Sequence, residues 1–243
     1  MFAQRDSAGS SRSRSRSRSR ANRRLVAIRD EALPPPLFLR LSRALLDVGD
    51  ENLPRTYQTT FWFPLRSRPS SLVEEAALSL HRLLSPSTRA RAAGVEWWLS
   101  RMWTTDVRVD FHRDHDIQRA RRGRGTVHPL TSSVLFLNRV RGGLLVVTEE
   151  PPDPENPSCA PARLDRMDLV RPEPNRFAAF DGALTHGVLD HRNQVPGRSP
   201  APAARGRMRR AVILNWWAAR PWSVPRFAER RLYRPLALAG GPP

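Results

Sequence analysis

Apolar and polar positions alternate in two rhythms along the chain. Leu37, Leu41, Ala44 and Leu45 recur at helical spacing and predict a short helix over 37–46. Val73, Ala76, Ala77, Leu80, Leu83 and Leu84 do the same over 72–84. Between them, the segment 56–65 carries Phe61, Trp62 and Phe63 and predicts a strand. After Gly94 the period shortens. Strands are predicted over 96–103, 107–115, 132–138, 144–149, 175–180, 184–189 and 209–217. Turn chemistry separates them: Arg141-Gly142-Gly143, the Pro-rich stretch 151–161 and Asp181-Gly182. The segment 195–207, rich in Pro, Gly, Ala and Arg, predicts a flexible insertion, and a short helix is expected around 227–232. Many short strands with Gly and Pro turns predict a mainly β (α+β) protein, a sandwich or barrel with helices ahead of it.

Composition adds limits. The 243 residues suit one domain with a tail or two, and 40% hydrophobic content with seven Trp and nine Phe supports a sizeable core. The expected division is a disordered Arg/Ser-rich tail (1–22), a bracing region of helices and strand (23–95), a β core (96–220) and a C-terminal extension (221–243). No run approaches the roughly 18 apolar residues of a membrane span, and the start lacks the apolar core of a secretory signal. It shares Arg and Ser content with transit peptides but has no amphipathic face. A lone Cys159 cannot staple the fold. A soluble, cytoplasmic protein is the expectation.

The formal charge is +18, and all 41 basic residues are Arg. Such a chain attracts polyanions without specificity, so the charge permits nucleic-acid contact through the tail but does not by itself indicate it. The Ser-Arg run from Ser11 to Arg20 has no aromatic residue for stacking, which favours a solvated tail.

The chemistry concentrates in Val109-Asp-Phe-His-Arg-Asp-His-Asp116. On a strand, His112 and Asp114 share one face, and so present an imidazole and a carboxylate to a single cation. A third ligand must come from elsewhere, and His186, in a strand-turn-strand pattern, supplies it. Two His and one carboxylate with open positions form the facial triad of non-haem iron(II) sites, with zinc as the rival metal. His81, His115, Asp116, His128 and His191 read as packing, loop or surface groups. The pairs Trp97-Trp98 and Trp216-Trp217 read as core. The run from Arg119 to Arg124 either reaches an acidic substrate over the site or is an ordinary solvated loop.

In order, His112-Arg113-Asp114, Ser132-Ser-Val-Leu-Phe-Leu-Asn138, Gly142-Gly143, Arg176-Phe-Ala-Ala-Phe180, His186 and Arg209-Arg210 resemble the 2-oxoglutarate/iron(II) oxygenase superfamily, nearest its prolyl 4-hydroxylase-like branch. The resemblance covers roughly residues 96–220. It implies a double-stranded β-helix, or jelly roll, with N-terminal bracing helices. It also implies iron(II) on His112, Asp114 and His186 as the catalytic centre, and dioxygen and 2-oxoglutarate as co-reactants. An unidentified protein, peptide or small molecule is hydroxylated, with release of succinate and carbon dioxide. An Arg on the last core strand would bind the far carboxylate of 2-oxoglutarate. The family's Trp six residues after this Arg selects Arg210 with Trp216, whereas its small residue two positions on selects Arg209 with Ala211; the preference falls on Arg210. Where the family has Tyr, this chain has Phe136, so Thr131, Ser132 or another polar residue must assist the carboxylate instead. Two other functions stay open: oxidative demethylation of nucleic acid, and a non-catalytic jelly roll that binds RNA or a partner through its Arg-rich tail.

Overall fold

The structure is a computed structural model that describes residues 24–49, 60–107, 109–153, 155, 166–195, 206–227 and 231–238. The Arg/Ser tail, Cys159 and most of the Pro-rich insertion at 195–207 lie outside the described residues.

The first helix, α1 (Pro35–Val48), opens on prolines, whose fixed φ suits a first turn, and ends at Gly49 with φ 82°. It buries Leu37, Leu41, Ala44, Leu45 and Val48. Helix α2 (Leu72–His81) is capped by Ser71, whose side chain accepts from the Glu74 amide, and it buries Val73, Ala76, Ala77 and Leu80. These faces pack with Phe61, Phe63, Val95, Trp97, Val212, Leu214 and Trp216 into the larger apolar core.

Strands β1 (Val26–Arg29), β2 (Phe61–Pro64), β3 (Gly94–Trp103), β4 (Thr131–Phe136), β7 (Arg176–Phe180) and β9 (Met208–Trp217) form a six-stranded sheet in the order β1-β7-β4-β9-β3-β2. Strands β5 (Leu145–Thr148), β6 (Met167–Val170) and β8 (Thr185–Val188) form a second sheet, β6-β5-β8, and every pairing in both sheets is antiparallel. A second core of Val134, Phe136, Leu145, Val147, Val170, Ala178 and Phe180 lies between the sheets.

The connectivity is that of a double-stranded β-helix. The segment 109–115 lies beside β8 through reciprocal backbone hydrogen bonds of 3.0 and 2.9 Å between His112 and His186. The eight core segments in chain order are then β3, 109–115, β4, β5, β6, β7, β8 and β9. They run 1-8-3-6 in one sheet and 2-7-4-5 in the other, the interleaving of a jelly roll.

Several local expectations are corrected. The segment 107–115 is not a regular strand; it meets β8 at one residue pair and then turns into a short helix, α4 (Ile117–Arg121), capped by the Asp116 carboxylate. Its dense charges leave few residues to bury, Val107 and Phe111 among them, and Phe111 packs against Gly187. Strands β1 and β6 and the six-residue helix α3 (Pro86–Arg91) are too short to give a period. Of the helix expected around 227–232, residues 228–230 lie outside the described residues; a 3-10 turn over Arg231–Leu236 anchors Tyr233 and Leu236 in the larger core. No helix among the described residues is long and apolar enough to cross a membrane.

Candidate metal centre

The His112–His186 backbone pair brings the two imidazoles together, with ring centroids 4.4 Å apart. Asp114 enters between them. Its Oδ1 lies 3.5 Å from His112 Nε2 and its Oδ2 lies 3.4 Å from His186 Nε2. Donors on adjacent corners of one cation, with bonds of about 2.1 Å, sit about 3 Å apart, so this set needs only slight closure around an ion. All three donor atoms lie within 4.8 Å of one another.

Both rings are held by their other nitrogen. His112 Nδ1–H donates to the Asp110 carbonyl at 2.7 Å, and His186 Nδ1–H donates to Leu184 at 3.3 Å. This fixes the tautomers and aims both Nε2 lone pairs at the shared point. Burial lowers the His186 pKa to about 4, keeping it neutral and able to ligate. Burial would raise Asp114, but His186, the His112 hydrogen bond and the Ser132 hydroxyl outweigh that effect and hold it well below the usual carboxylate range. Burial opposes protonation of His112, yet its bond to Asp114 prevails and its pKa is raised. The donor chemistry therefore fits a divalent metal: a carboxylate, a neutral imidazole and an imidazole that gives up its proton to the ion.

The triad opens into a cavity of about 400 Å³ between the sheets. Its floor is the inner face of β3, β9 and β4, where residues two apart share a side. On β9 this face presents Arg209, Ala211, Ile213 and Asn215. The other face sends Val212, Leu214 and Trp216 into the helix-side core. Of the two candidates, Arg209 lines the cavity and Arg210, the one preferred from the sequence, does not. The sequence criterion based on the small residue, Ala211, picks the inward Arg; the Trp216 criterion follows the opposite face.

Arg209 is 1% exposed. Its Nε donates to the Gly143 carbonyl at 3.1 Å, and its guanidinium lies 5.0 Å from the Phe136 ring centroid. No carboxylate among the described residues pairs with it, and burial alone lowers its pKa, to about 10, so it keeps its charge at neutral pH. The neighbouring sequence motifs hold it in place. Asn138 bridges β9 on both sides of Arg209, donating to Met208 O at 2.8 Å and accepting from Arg210 N at 2.9 Å. Gly142 and Gly143 take φ of 77° and 65° and present the carbonyl that Arg209 uses.

The fold is similar to that of several solved proteins. One is a prolyl 4-hydroxylase from Pseudomonas putida, with a TM-score of 0.46, 15% identity and coverage of 80% of this chain and 92% of that one. A second is HygX from Streptomyces hygroscopicus, solved with nickel and 2-oxoglutarate bound (TM-score 0.48, 13% identity, 85% and 87% coverage). A third is AviO1 from Streptomyces viridochromogenes Tue57 (TM-score 0.43, 16% identity, 90% and 100% coverage). No protein-family profile matches the sequence, and no curated protein sequence does.

The remaining candidates separate cleanly. Ser132 reaches the site, but its hydroxyl donates to Asp114 Oδ2 at 2.7 Å. Thr131 faces away and hydrogen-bonds with Thr88. Asp116 is buried and structural, accepting from Arg119 N and Trp222 N. His115 is exposed at the cavity edge, while His128 bonds through Nδ1 to the Asp114 carbonyl. His81 packs near Trp216, and His191 lies beside Asp190. In the run 119–124, Arg122 stacks over Trp222. Trp97 is core, as expected, but Trp98 lines the cavity, as do Glu96 and Asn215, none of which the sequence reading placed there. Strict alternation along β3 could have found Glu96 and Trp98 once its inner face was known.

Proposed function

We propose that this protein is an iron(II)- and 2-oxoglutarate-dependent oxygenase that hydroxylates a C–H bond of a second substrate. One observation carries the reading: a fully buried guanidinium with no counter-ion among the described residues faces the cavity that also holds a converging His-Asp-His set. A buried unpaired charge is costly, so its persistence argues for an anionic ligand that completes it. A ligand that both chelates a metal and offers a distant carboxylate to Arg209 answers both needs. The order of motifs resembling the oxygenase superfamily selects iron(II) and 2-oxoglutarate.

In this reading His112, Asp114 and His186 hold the metal on one side and leave the cavity side open. The chemistry that iron(II) supplies when bound couples oxidative decarboxylation of 2-oxoglutarate to oxygen insertion: one atom of dioxygen enters succinate, carbon dioxide leaves, and the other atom converts C–H to C–OH. Arg209 pairs with the far carboxylate, and Phe136 and Val134 wall that end against water. Phe136 offers no hydroxyl, so the carboxylate relies on the guanidinium alone at that flank. The test is anaerobic titration of 2-oxoglutarate into the iron-loaded protein, followed by its charge-transfer absorbance. Saturable binding, and succinate formation on admitting dioxygen, are the expected results; no absorbance change and no succinate would overturn the assignment.

A further inference from the structure

The cavity opens to solvent where its lining is itself exposed, at His115 and Ile117. Ile117 is 40% exposed and begins α4, just after the candidate ligand Asp114. The loop that follows is pinned at its base beside the triad. Asp116 N donates to Val127 O at 2.9 Å, which closes residues 117–126 into one projection. The Asp116 carboxylate caps α4 and accepts from Trp222 N at 3.0 Å, and His128 bonds to the Asp114 carbonyl. The projection therefore stands at a fixed place on the rim of the cavity.

Its surface combines charge with an aliphatic step. Residues 117–127 carry Arg119, Arg121, Arg122 and Arg124 and no acidic residue. Arg121, Arg122 and Arg124 are exposed, and none of the three pairs with a carboxylate among the described residues. Arg121 lies one turn along α4 from Ile117 and shares its face. Ile117 and Val127 are two of the six large apolar side chains exposed among the described residues, and the Asp116–Val127 bond brings them to the same end of the loop. An aliphatic step flanked by guanidiniums complements a chain in which apolar and acidic side chains mix. Nucleic acid fits it less well, because bases need an open aromatic face, and Trp222, the ring packed against the loop, has Arg122 over it at 5.2 Å.

We infer that the loop 117–127 is the docking rim for the hydroxylated substrate, and that this substrate is an acidic segment of polypeptide. An aliphatic side chain rests on Ile117 and Val127, carboxylates pair with Arg121 and Arg124, and a neighbouring residue enters the cavity. A compact acid that fits inside the cavity does not extend to these arginines; a chain lying across the mouth reaches both. The word substrate rests on the oxygenase reading, but the rim binds without turnover and is tested by binding alone.

The test uses the full-length protein and fluorescence anisotropy with four labelled probes of equal length. One is a peptide of repeated Glu-Leu-Gly-Ser. Two analogues replace every Glu by Gln or every Leu by Ser, and the fourth probe is oligouridylate. The Glu-Leu peptide should bind most tightly. Arg121→Gln combined with Arg124→Gln should weaken it by about three-fold or more and flatten its salt dependence. Ile117→Ser should remove its advantage over the Ser analogue. Arg43→Gln combined with Arg82→Gln makes the same change in net charge on exposed residues of the helical layer and should leave binding unchanged. Equal weakening by the two double variants would reduce the effect to net charge and overturn the rim. Tightest binding of oligouridylate, lost in the Arg121/Arg124 variant, would replace the acidic peptide with nucleic acid. Equal binding of the three peptides, or none, would also overturn it. The expected pattern without 2-oxoglutarate binding would sink the oxygenase reading and leave the rim standing; the converse would sink only the rim.

Discussion

The Ser132 hydroxyl donates to Asp114 Oδ2 at 2.7 Å, so β4 of one sheet fixes the rotamer of a candidate ligand carried by the segment that lies against the other. Asp114 sits on irregular chain, where the backbone alone does not aim its carboxylate. Removing such an outer partner typically costs 10- to 100-fold in metal affinity. Ser132→Ala should lower iron(II) or zinc(II) affinity by about that factor in competition with a chelator. Unchanged affinity would mean that the two imidazoles orient Asp114 unaided.

Metal stoichiometry follows from the convergence of three donors. The protein should bind one divalent ion per chain, and His112→Ala and His186→Ala should each abolish it while leaving far-UV circular dichroism unchanged. Full occupancy in both variants, by elemental analysis after desalting, would remove the site.

Arg209 and Arg210 are adjacent on β9, yet the pleat sends only Arg209 into the cavity. Loss of a buried charge-assisted pair costs about 2–5 kcal/mol, or tens- to thousands-fold in affinity. Arg209→Met, which keeps apolar bulk, should raise the 2-oxoglutarate requirement steeply with metal affinity retained. Arg210→Met should shift it little. The opposite asymmetry in a 2-oxoglutarate titration would place the anion on the other side of β9.

Much of this was legible in the sequence because it depends on period. The helical stripes of α1 and α2 and the strands β3, β4, β7 and β9 follow from a repeat sustained over five or more residues, whereas His112 and Asp114 are found by residue type on a segment that is not a regular strand. What failed was shorter than a period, as with β1 and β6, or depended on tertiary direction. Whether Arg209 or Arg210 points inward is undecidable from β9 alone, since both faces are buried: Ala211 packs between the sheets and Val212 against the helices. The same ambiguity hid Trp98 and Asn215. The single-pair contact of His112 with His186 carries the site, yet no local pattern specifies where an irregular segment meets its neighbour.

Gly187 follows His186 and lies under Phe111. A Cβ there would meet the Phe111 ring at 2.9–3.0 Å, and the ring is fully buried. Overpacking of this kind costs about 1–3 kcal/mol. Gly187→Ala should lower stability by about that amount in urea unfolding, and Phe111→Leu in the same chain should recover part of it, a non-additivity expected of touching residues. Strict additivity would show that the ring moves freely away.

Glu74 gives the stability of the helical layer a pH dependence with a defined sign. It is 3% exposed, and its Oε2 accepts from the Ser70 amide at 2.6 Å and the Ser70 hydroxyl at 2.7 Å. Burial nonetheless dominates these bonds and raises its pKa above 4.5. Between that value and the raised one, the folded chain holds a proton that the unfolded chain releases. Protonation therefore favours folding, and this contribution is lost as pH rises through the window. Gln mimics the protonated form at every pH. Relative to Glu74→Gln, the unmodified protein should lose stability as pH rises from 4.5 through the raised pKa, so the variant should gain on it over that window. Parallel urea denaturation of the two chains across that range measures the difference directly. A gap that stays constant would mean that Glu74 titrates alike in both states, and that the Ser70 bonds offset its burial in full.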